Sequence, residues 1–158
     1  DRNLSRGLGD VYKRQAKDYV DENEKIFFVL GDNFFENSPF NNFDFKNFHE
    51  GACIFTTEVE NPEEFGVAEM DIDGKVLSIE EKPTNPKSND AVVGLYMFDN
   101  SVFNKIDTLE PSARGEYEIT DLCNIFVSEN KCMNLNINGW WIDAGTPERI
   151  IELEEKLS

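Results

Sequence analysis

The stretch Ile26-Phe27-Phe28-Val29-Leu30-Gly31-Asp32-Asn33, residues 26–33, decides the fold class of this chain. Five apolar residues in a row are typical of a parallel strand that is buried on both faces of a sheet. Gly31 then permits a sharp exit, so Asp32 lies at the carboxyl end of the strand, where open α/β sheets bind ligands. A carboxylate there, beside the Asn33 amide, can hold a divalent metal ion on a phosphate. The alternative is an aspartate that only caps a turn.

The rest of the chain alternates predicted strands with predicted helices, which favours an α/β sheet. Asp73-Gly74, between two short apolar runs, predicts a β-hairpin over residues 66–80, so the sheet is not purely parallel. Apolar residues at helical spacing predict a helix over 118–130. Thr146-Pro147 predicts the start of a final helix. Residues 34–43, rich in Asn, Phe and Pro, are predicted to form a loop.

The first fifteen residues have an unusual origin. Residues 5–15 can be back-translated into the transposon-end adapter that is used to prepare shotgun sequencing libraries. We therefore predict that residues 1–15 are a non-native, adapter-derived segment and that native sequence begins near Ala16. The alternative is a natural basic amphipathic start. Fold reasoning is accordingly based on residues 16–158.

Composition limits the function classes that are open to this chain. An apolar content of 39% supports a globular domain with a core. The net charge is −17, and it is −19 for residues 16–158, because residues 1–15 hold four basic and two acidic side chains. General charge attraction to nucleic acid or anionic membrane is therefore excluded. No apolar run approaches the length of a membrane span.

Two residue types add to these limits. Cys53, Cys123 and Cys132 lack metal-type spacing, which is typical of reduced thiols in a cytoplasmic protein. His49 is the single histidine and is predicted to lie on the surface, which argues against Ser-His or Cys-His hydrolysis. Phosphoryl chemistry needs no such base when the attacking group is already a phosphate oxygen.

Three polar motifs are candidates for chemistry. In Glu80-Glu81-Lys82-Pro83, strand alternation sends the two glutamates to opposite faces, so one can accept sugar hydroxyls while Lys82 meets a phosphate. Arg114-Gly115 can present a guanidinium on tight backbone for a bidentate phosphate contact. Asp143, on a Gly-flanked turn before the last helix, can join Asp32 in a metal site. The alternatives are a solvated strand end, a capping segment and a helix cap.

The motifs together resemble the sugar-1-phosphate nucleotidyltransferases, and most of all their glucose-1-phosphate thymidylyltransferase branch. The similar pieces are Leu30-Gly31-Asp32-Asn33, Phe65-Gly66-Val67-Ala68-Glu69, Glu80-Glu81-Lys82-Pro83, Pro86-Lys87-Ser88-Asn89, Val93-Gly94-Leu95-Tyr96, Pro111 through Asp121, and Trp141-Ile142-Asp143-Ala144-Gly145-Thr146. They occur in the family's order and spacing. The resemblance implies a Rossmann-like three-layer α/β fold with a mixed sheet. It also implies that residues 16–158 are the carboxyl-proximal portion of a catalytic domain whose amino-terminal part is missing.

The resemblance also implies a role for each matching residue. Asp32 and Asp143 would ligate Mg²⁺ and, with Lys82 and Arg114, form the catalytic set. Glu81 would accept glucose hydroxyls, and Lys82 and Arg114 would bind phosphate. Trp141 would form an aromatic wall. The substrate-binding positions implied in this way are Leu30, Gly31, Asn33, Gly66, Glu81, Lys82, Val92, Arg114 and Trp141.

The implied reaction is attack by a sugar 1-phosphate on the α-phosphorus of a nucleoside triphosphate, which gives a nucleotide sugar and pyrophosphate. The run from Arg114 to Asp121 favours dTTP and glucose 1-phosphate, and a homo-oligomeric parent enzyme is implied. The family's Gly-rich triphosphate loop has no match here, so this chain alone is expected to be inactive. The alternatives are an enzyme that uses UTP or another nucleotide, and a non-catalytic acidic α/β binding module.

Overall fold

The computed structural model describes residues 16–41, 43–112 and 115–158. The strands are β1 (Ile26–Val29), β2 (Asn33–Phe35), β3 (Ala52–Glu58), β4 (Gly66–Met70), β5 (Val76–Glu81), β6 (Asp90–Phe98), β7 (Cys132–Asn136) and β8 (Trp141–Asp143). The α-helices are α1 (Val102–Ile106), α2 (Ile119–Ser128) and α3 (Pro147–Leu157), and 3₁₀ turns cover Lys17–Tyr19, Phe45–Asn47 and Pro62–Glu64.

The β4–β5 hairpin forms where the sequence predicts it. Gly74 takes a left-handed φ of +79°, which a residue without a side chain adopts at little cost. Asp71 Oδ1 accepts hydrogen bonds from the backbone N–H groups of Asp73 (3.0 Å) and Lys75 (2.9 Å). The aspartate therefore stabilises the turn that brings β5 back beside β4.

Six of the described strands form one mixed sheet around β6. The order is β5-β4-β6-β3-β7, and β1 also pairs with β6. Strands β3 and β7 are parallel, whereas β6 is antiparallel to β1, β3 and β4. The sheet is mixed and helices pack on it, so the predicted α/β class with a mixed sheet is confirmed, although six strands precede the first described α-helix along the chain.

Strand β1 differs from its prediction. It pairs antiparallel with β6, with Ile26 opposite Phe98 and Val29 opposite Leu95, so the predicted parallel pairing is wrong among the described strands. Burial on both faces is also wrong, because Val29 is 58% exposed and Leu30 46% exposed. The physical reason is position: β6 is the only described strand beside β1, so one edge of β1 and much of its side-chain surface stay uncovered.

Both faces of the sheet carry a core, as the alternation of side chains along a strand requires. On one face Ile54 and Phe98 pack with the apolar residues of α1 and α2. On the other face Phe55 and Met97 pack with phenylalanines that lie between residues 35 and 48. The sheet is thus covered by helices on one side and by a largely irregular segment on the other.

A separate two-stranded ribbon joins β2 to β8, and the sequence did not predict it. Asn33 pairs with Asp143 and Phe35 with Trp141 in antiparallel register. The predicted loop over residues 34–43 is therefore wrong at its start, because Phe34 and Phe35 are strand residues. The ribbon matters for the site, since it brings the end of β1 beside the start of α3.

The predicted start of α3 is confirmed. Thr146 Oγ1 accepts a hydrogen bond from the backbone N–H of Arg149 (3.4 Å), and Pro147 occupies the first helical position. None of the described helices is both long and apolar enough to cross a membrane. Cys53, Cys123 and Cys132 are all free thiols, and burial raises the pKa of Cys132 to about 12.

Candidate active site

The carboxylates of Asp32 and Asp143 face each other across the β2–β8 ribbon. Asp32 directly precedes β2, and Asp143 ends β8 opposite Asn33. The backbone N–H of Ala144 donates to the carbonyl of Asp32 at 2.7 Å. A Cβ built on Gly145 would lie 3.2 Å from Asp143 Oδ1 and 3.8 Å from Asp32 Oδ2. The separation of the two oxygens cannot exceed the sum of these distances, so the carboxylates are near neighbours.

The environment of Asp143 opposes its negative charge. Burial is the main cause and the charge of Asp32 the second, and together they raise the pKa of Asp143. A hydrogen bond from the backbone N–H of Gly145 and the positive charges of Arg149 and Lys82 lower it again in part. Two carboxylates that repel each other are a donor set that a hard divalent cation fits, because oxygen ligands are what such cations prefer.

Asn33 connects the carboxylate pair to the main sheet. Its Oδ1 accepts hydrogen bonds from the backbone N–H of Gly94 (2.9 Å) and from Trp141 Nε1 (2.6 Å), and its Nδ2 donates to Asp32 Oδ1 (2.8 Å). One amide thus fixes the aromatic ring of β8, the backbone of β6 and the carboxylate that follows β1.

A cavity of about 340 Å³ opens beside this amide. Of the sequence-predicted residues, those that line it are Leu30, Asn33, Gly66, Glu81, Lys82, Val92, Trp141 and Asp143. Asp32 and Gly31 do not line this cavity and are exposed next to it. Arg114 lies outside the described residues. The structure therefore brings together residues from positions 30 to 143, and only one predicted site residue cannot be placed.

The floor of the cavity is formed where β4, β5 and β6 meet. A Cβ on Gly66 would lie 3.3 Å from Glu81 Oε2 and 3.9 Å from the Cβ of Val92. It would also lie 3.1 Å from Thr120 Cγ2 at the start of α2. Because Gly66 has no side chain, no methyl group crowds the Glu81 carboxylate where it lines the cavity.

Lys82 enters the cavity from a rare backbone conformation. Its φ is +46°, in the left-handed region that residues other than glycine seldom adopt. The N–H of Lys82 donates to the carbonyl of Phe65 at 2.9 Å, and the following Pro83 is buried. These contacts impose the conformation against its cost, and such strain is typical of residues in functional sites.

Sequence reasoning missed several residues of the site. Phe65, Gly94, Tyr96, Tyr117 and Glu118 also line the cavity. A second cavity of about 380 Å³ adjoins the first and is lined by Lys82 and Asp143 together with Glu64, Phe65 and Arg149. Most of these residues lie inside or next to the quoted motifs. Their closeness to the motifs in the sequence is the signal that could have predicted them as site residues. Arg149 had no such signal.

A larger cavity of about 580 Å³ lies elsewhere, at the tip of the β4–β5 hairpin. It is lined by Asp71, Ile72 and Asn134, among others, and it contains none of the predicted site residues. Size alone therefore does not identify the site. The candidate site is instead chosen by its chemistry, because the sequence-predicted residues Asp143 and Lys82 line it.

Comparisons with known proteins indicate the family and the fold of the chain. The sequence profile of the nucleotidyl transferase family matches residues 6–158. The match begins inside residues 1–15, so the non-native origin of that segment stays a prediction. The chain is 39% identical over 142 residues to the low-salt glycan biosynthesis nucleotidyltransferase Agl11 of Haloferax volcanii, which covers 89% of the chain and 40% of that protein.

A second relative is the glucose-1-phosphate thymidylyltransferase of Neisseria meningitidis serogroup A, which is 41% identical over 135 residues, or 82% of the chain and 46% of that protein. The chain thus spans less than half the length of these curated relatives. Among solved structures, a Bacillus anthracis protein assigned as a glucose-1-phosphate thymidylyltransferase, in complex with sucrose, superposes with a TM-score of 0.84 at 37% identity. That likeness covers 97% of the chain and 61% of the solved chain.

The likeness to the solved structure shows a Rossmann-like α/β nucleotidyltransferase fold, as the resemblance implied. The family profile spans nearly the whole chain, and both relatives exceed a third in identity. The chain belongs to the nucleotidyl transferase family.

Proposed function

We propose that the protein transfers a nucleotidyl group, dTMP from dTTP, to glucose 1-phosphate, and that residues 16–158 supply the sugar-phosphate side and the metal side of the enzyme. The observation that carries this proposal is the convergence of Asp143, Lys82 and Glu81 on one cavity, with the carboxylate of Asp32 next to that of Asp143. A phosphorylated sugar needs that combination: acceptors for its hydroxyls, a cation for its phosphate and a metal site beside the phosphate.

Each side chain has a definite task in this proposal. Glu81, next to Gly66, accepts hydrogen bonds from sugar hydroxyls. The face of Trp141 packs on the apolar face of the sugar ring. Lys82 holds the sugar phosphate as a point charge, so that a phosphate oxygen is held ready to attack the α-phosphorus of the triphosphate. Arg114 adds a bidentate phosphate contact.

Mg²⁺ is the proposed cofactor. Asp32 and Asp143 would hold it, because they are the adjacent carboxylates of the site and their mutual repulsion is relieved by a cation. When bound, Mg²⁺ would supply positive charge against the charge that develops on phosphate oxygens. The residues of the chain bind the substrates, orient them and exclude water from the site.

A different nucleotide is the second candidate. The chain is 37% identical over 143 residues to the bifunctional protein GlmU of Methanocaldococcus jannaschii, which covers 90% of the chain and 33% of that protein. Because this relative is not named as a thymidylyltransferase, UTP stays open as the alternative nucleotide. The complete gene product decides the matter: with glucose 1-phosphate and Mg²⁺, pyrophosphate release should be much faster with dTTP than with UTP. A preference for UTP would overturn the thymidylyl assignment.

Binding to the 158-residue chain tests the site itself. In calorimetric titrations with Mg²⁺ present, glucose 1-phosphate should bind and unphosphorylated glucose should bind at least tenfold more weakly, since a charge-assisted contact contributes about 1.5–3 kcal/mol. Lys82→Met should remove that difference. Lys46→Met, at an exposed position in the 3₁₀ turn 45–47, is the matched control and should behave as wild type. Equal binding of the two sugars would contradict the role of Lys82, and no sugar binding at all would favour a non-catalytic module.

A further inference from the structure

Arg149 lies in the first turn of α3, a short distance along the chain after Asp143. Its backbone N–H donates to the cap residue Thr146. Side chains at a helix start point back toward the preceding residues, and that of Arg149 reaches the second cavity, which it shares with Lys82 and Asp143. The sequence predicted no role in the site for Arg149.

The guanidinium contacts two consecutive residues of another segment. Arg149 Nη2 lies 2.5 Å from Glu64 Oε2, and Arg149 Cζ lies 4.6 Å from the centre of the Phe65 ring. The arginine side chain is only 22% exposed, whereas that of Glu64 is 50% exposed. A planar group can stack on an aromatic face and donate in its own plane at once, which an ammonium group cannot do.

Phe65 transmits this contact to the wall of the sugar cavity. Its ring centre is 5.1 Å from that of Trp141, and Trp141 Nε1 donates to Asn33 Oδ1 at 2.6 Å. The amide of Asn33 in turn donates to Asp32. A continuous column of contacts therefore runs from Arg149 through two aromatic rings and one amide to the first carboxylate.

We propose that Arg149 is a positioning residue of this site: stacked on Phe65 and paired with Glu64, it holds the Trp141 ring against the sugar cavity. The inference rests on the proposed function, because it assigns Trp141 to a wall that a sugar phosphate touches. Arg149 itself touches no substrate in this assignment. Loss of the stack leaves Phe65 free to tilt, and the Trp141 ring then loses this packing partner.

Near-ultraviolet circular dichroism reports how rigidly the Trp141 ring is held in its surroundings. Trp140→Phe leaves Trp141 as the single tryptophan, since the chain has two. In that background Arg149→Met should reduce the intensity of the tryptophan bands in the near-ultraviolet spectrum. The far-ultraviolet spectrum should stay unchanged. Lys156→Met, which removes an exposed charge from the last turn of the same helix, is the control and should leave both spectra as they are.

Sugar-phosphate affinity is the second readout. Arg149→Met should weaken glucose 1-phosphate binding by up to roughly tenfold, because a Trp141 ring that is no longer held must be immobilised when the sugar binds, at a cost of about 0.5–1.5 kcal/mol. Arg149→Lys should fail to restore it, because the lysine keeps the charge and loses the planar stack. Phe65→Leu should weaken binding similarly, and the double variant should be little worse than either single one, since both act through the same ring.

The outcomes separate this inference from the proposed function. If the wild-type chain binds no sugar phosphate, the proposed function of the cavity fails, while the tryptophan bands still test the positioning. Unchanged bands in Arg149→Met would overturn the positioning role. So would full recovery of affinity by Arg149→Lys, which would show that only charge matters, or additive effects of Arg149→Met and Phe65→Leu.

Discussion

The side-chain amide of Asn33 occupies the space in which a side chain at Gly94 would begin. A Cβ on Gly94 would lie 2.4 Å from Asn33 Nδ2 and 2.7 Å from Asn33 Oδ1, while the backbone N–H of Gly94 donates to that same Oδ1 at 2.9 Å. The residue that orients Asp32 and Trp141 is therefore seated on a strand position that only glycine can fill.

Gly94→Ala is expected to destabilise the fold by about 1–3 kcal/mol, the usual cost of forcing an extra methyl group into packed surroundings. Urea unfolding measures it. Gly31→Ala is the matched control, because a Cβ there meets nothing within 4 Å, and its stability should change little. If Asn33→Ala in the Gly94→Ala background recovers none of the lost stability, the proposed clash is not the cause.

Gly66→Ala should act on binding more than on stability. Its Cβ would lie 3.1 Å from Thr120 Cγ2 and 3.3 Å from Glu81 Oε2, so neighbours need give only a few tenths of an ångström. The methyl group would nevertheless stand in the space above Glu81. We expect glucose 1-phosphate affinity to fall at least tenfold, about 1.4 kcal/mol, with Mg²⁺ affinity unchanged in calorimetry. Equal losses of both would indicate a general distortion instead.

Asp143→Asn should stabilise the metal-free protein at neutral pH. Burial and the charge of Asp32 raise the pKa of Asp143, so the folded state holds this proton more tightly than the unfolded chain does. The folded wild type is therefore favoured below the ordinary pKa of 3.8 and loses that advantage as the pH rises through the raised value. The gain in unfolding free energy should stay below about 1 kcal/mol, since water screens a partly exposed carboxyl.

The measurement is urea unfolding of both proteins from acid to neutral pH in a chelator. The advantage of Asp143→Asn should vanish in acid, and added Mg²⁺ should stabilise the wild type alone. Glu155→Gln, an exposed position on α3, should show neither effect. A variant that is less stable than wild type at neutral pH would mean that Asp143 is held by contacts stronger than the repulsion.

Lys82→Gly should be more stable than Lys82→Ala by about 1 kcal/mol, because only the glycine avoids the cost of the left-handed backbone at this position (φ +46°). At Lys156, within helix α3, the order should reverse, since glycine is the poorer helix former by roughly 0.8–1 kcal/mol. Chemical unfolding of the four variants measures the difference in stability between glycine and alanine at each position. Alanine matching or exceeding glycine at position 82 would show that the strain is not stored there.

Local signals in the sequence predicted the parts of the fold that local chemistry controls. Asp73-Gly74 needs no distant partner to turn, and Thr146-Pro147 caps its own helix. The ribbon of β2 and β8 could not be predicted from local signals, because Asn33 pairs with Asp143 far along the chain. The direction of the partner of β1 was missed for the same reason: an apolar run records burial but not strand polarity.

The same division holds for the site. Residues in motifs, such as Glu81 and Trp141, could be predicted to lie at one cavity from resemblance, and they do line one cavity. Arg149 could not, since its position depends on Glu64 and Phe65 in a different segment. Contacts of this kind form only when the chain folds, so the spacing of residues along the sequence does not predict them.

The β2–β8 ribbon sets the gap between Asp32 and Asp143 by main-chain hydrogen bonds, with the carbonyl of Asp32 bonded to the N–H of Ala144. Backbone pairing does not depend on which side chains stand at the walls of the cavity. Substitutions at Val92 can therefore reshape the cavity while the carboxylate gap stays the same. Under the proposed function, evolution can therefore change the choice of sugar while the carboxylate pair proposed to hold Mg²⁺ is kept.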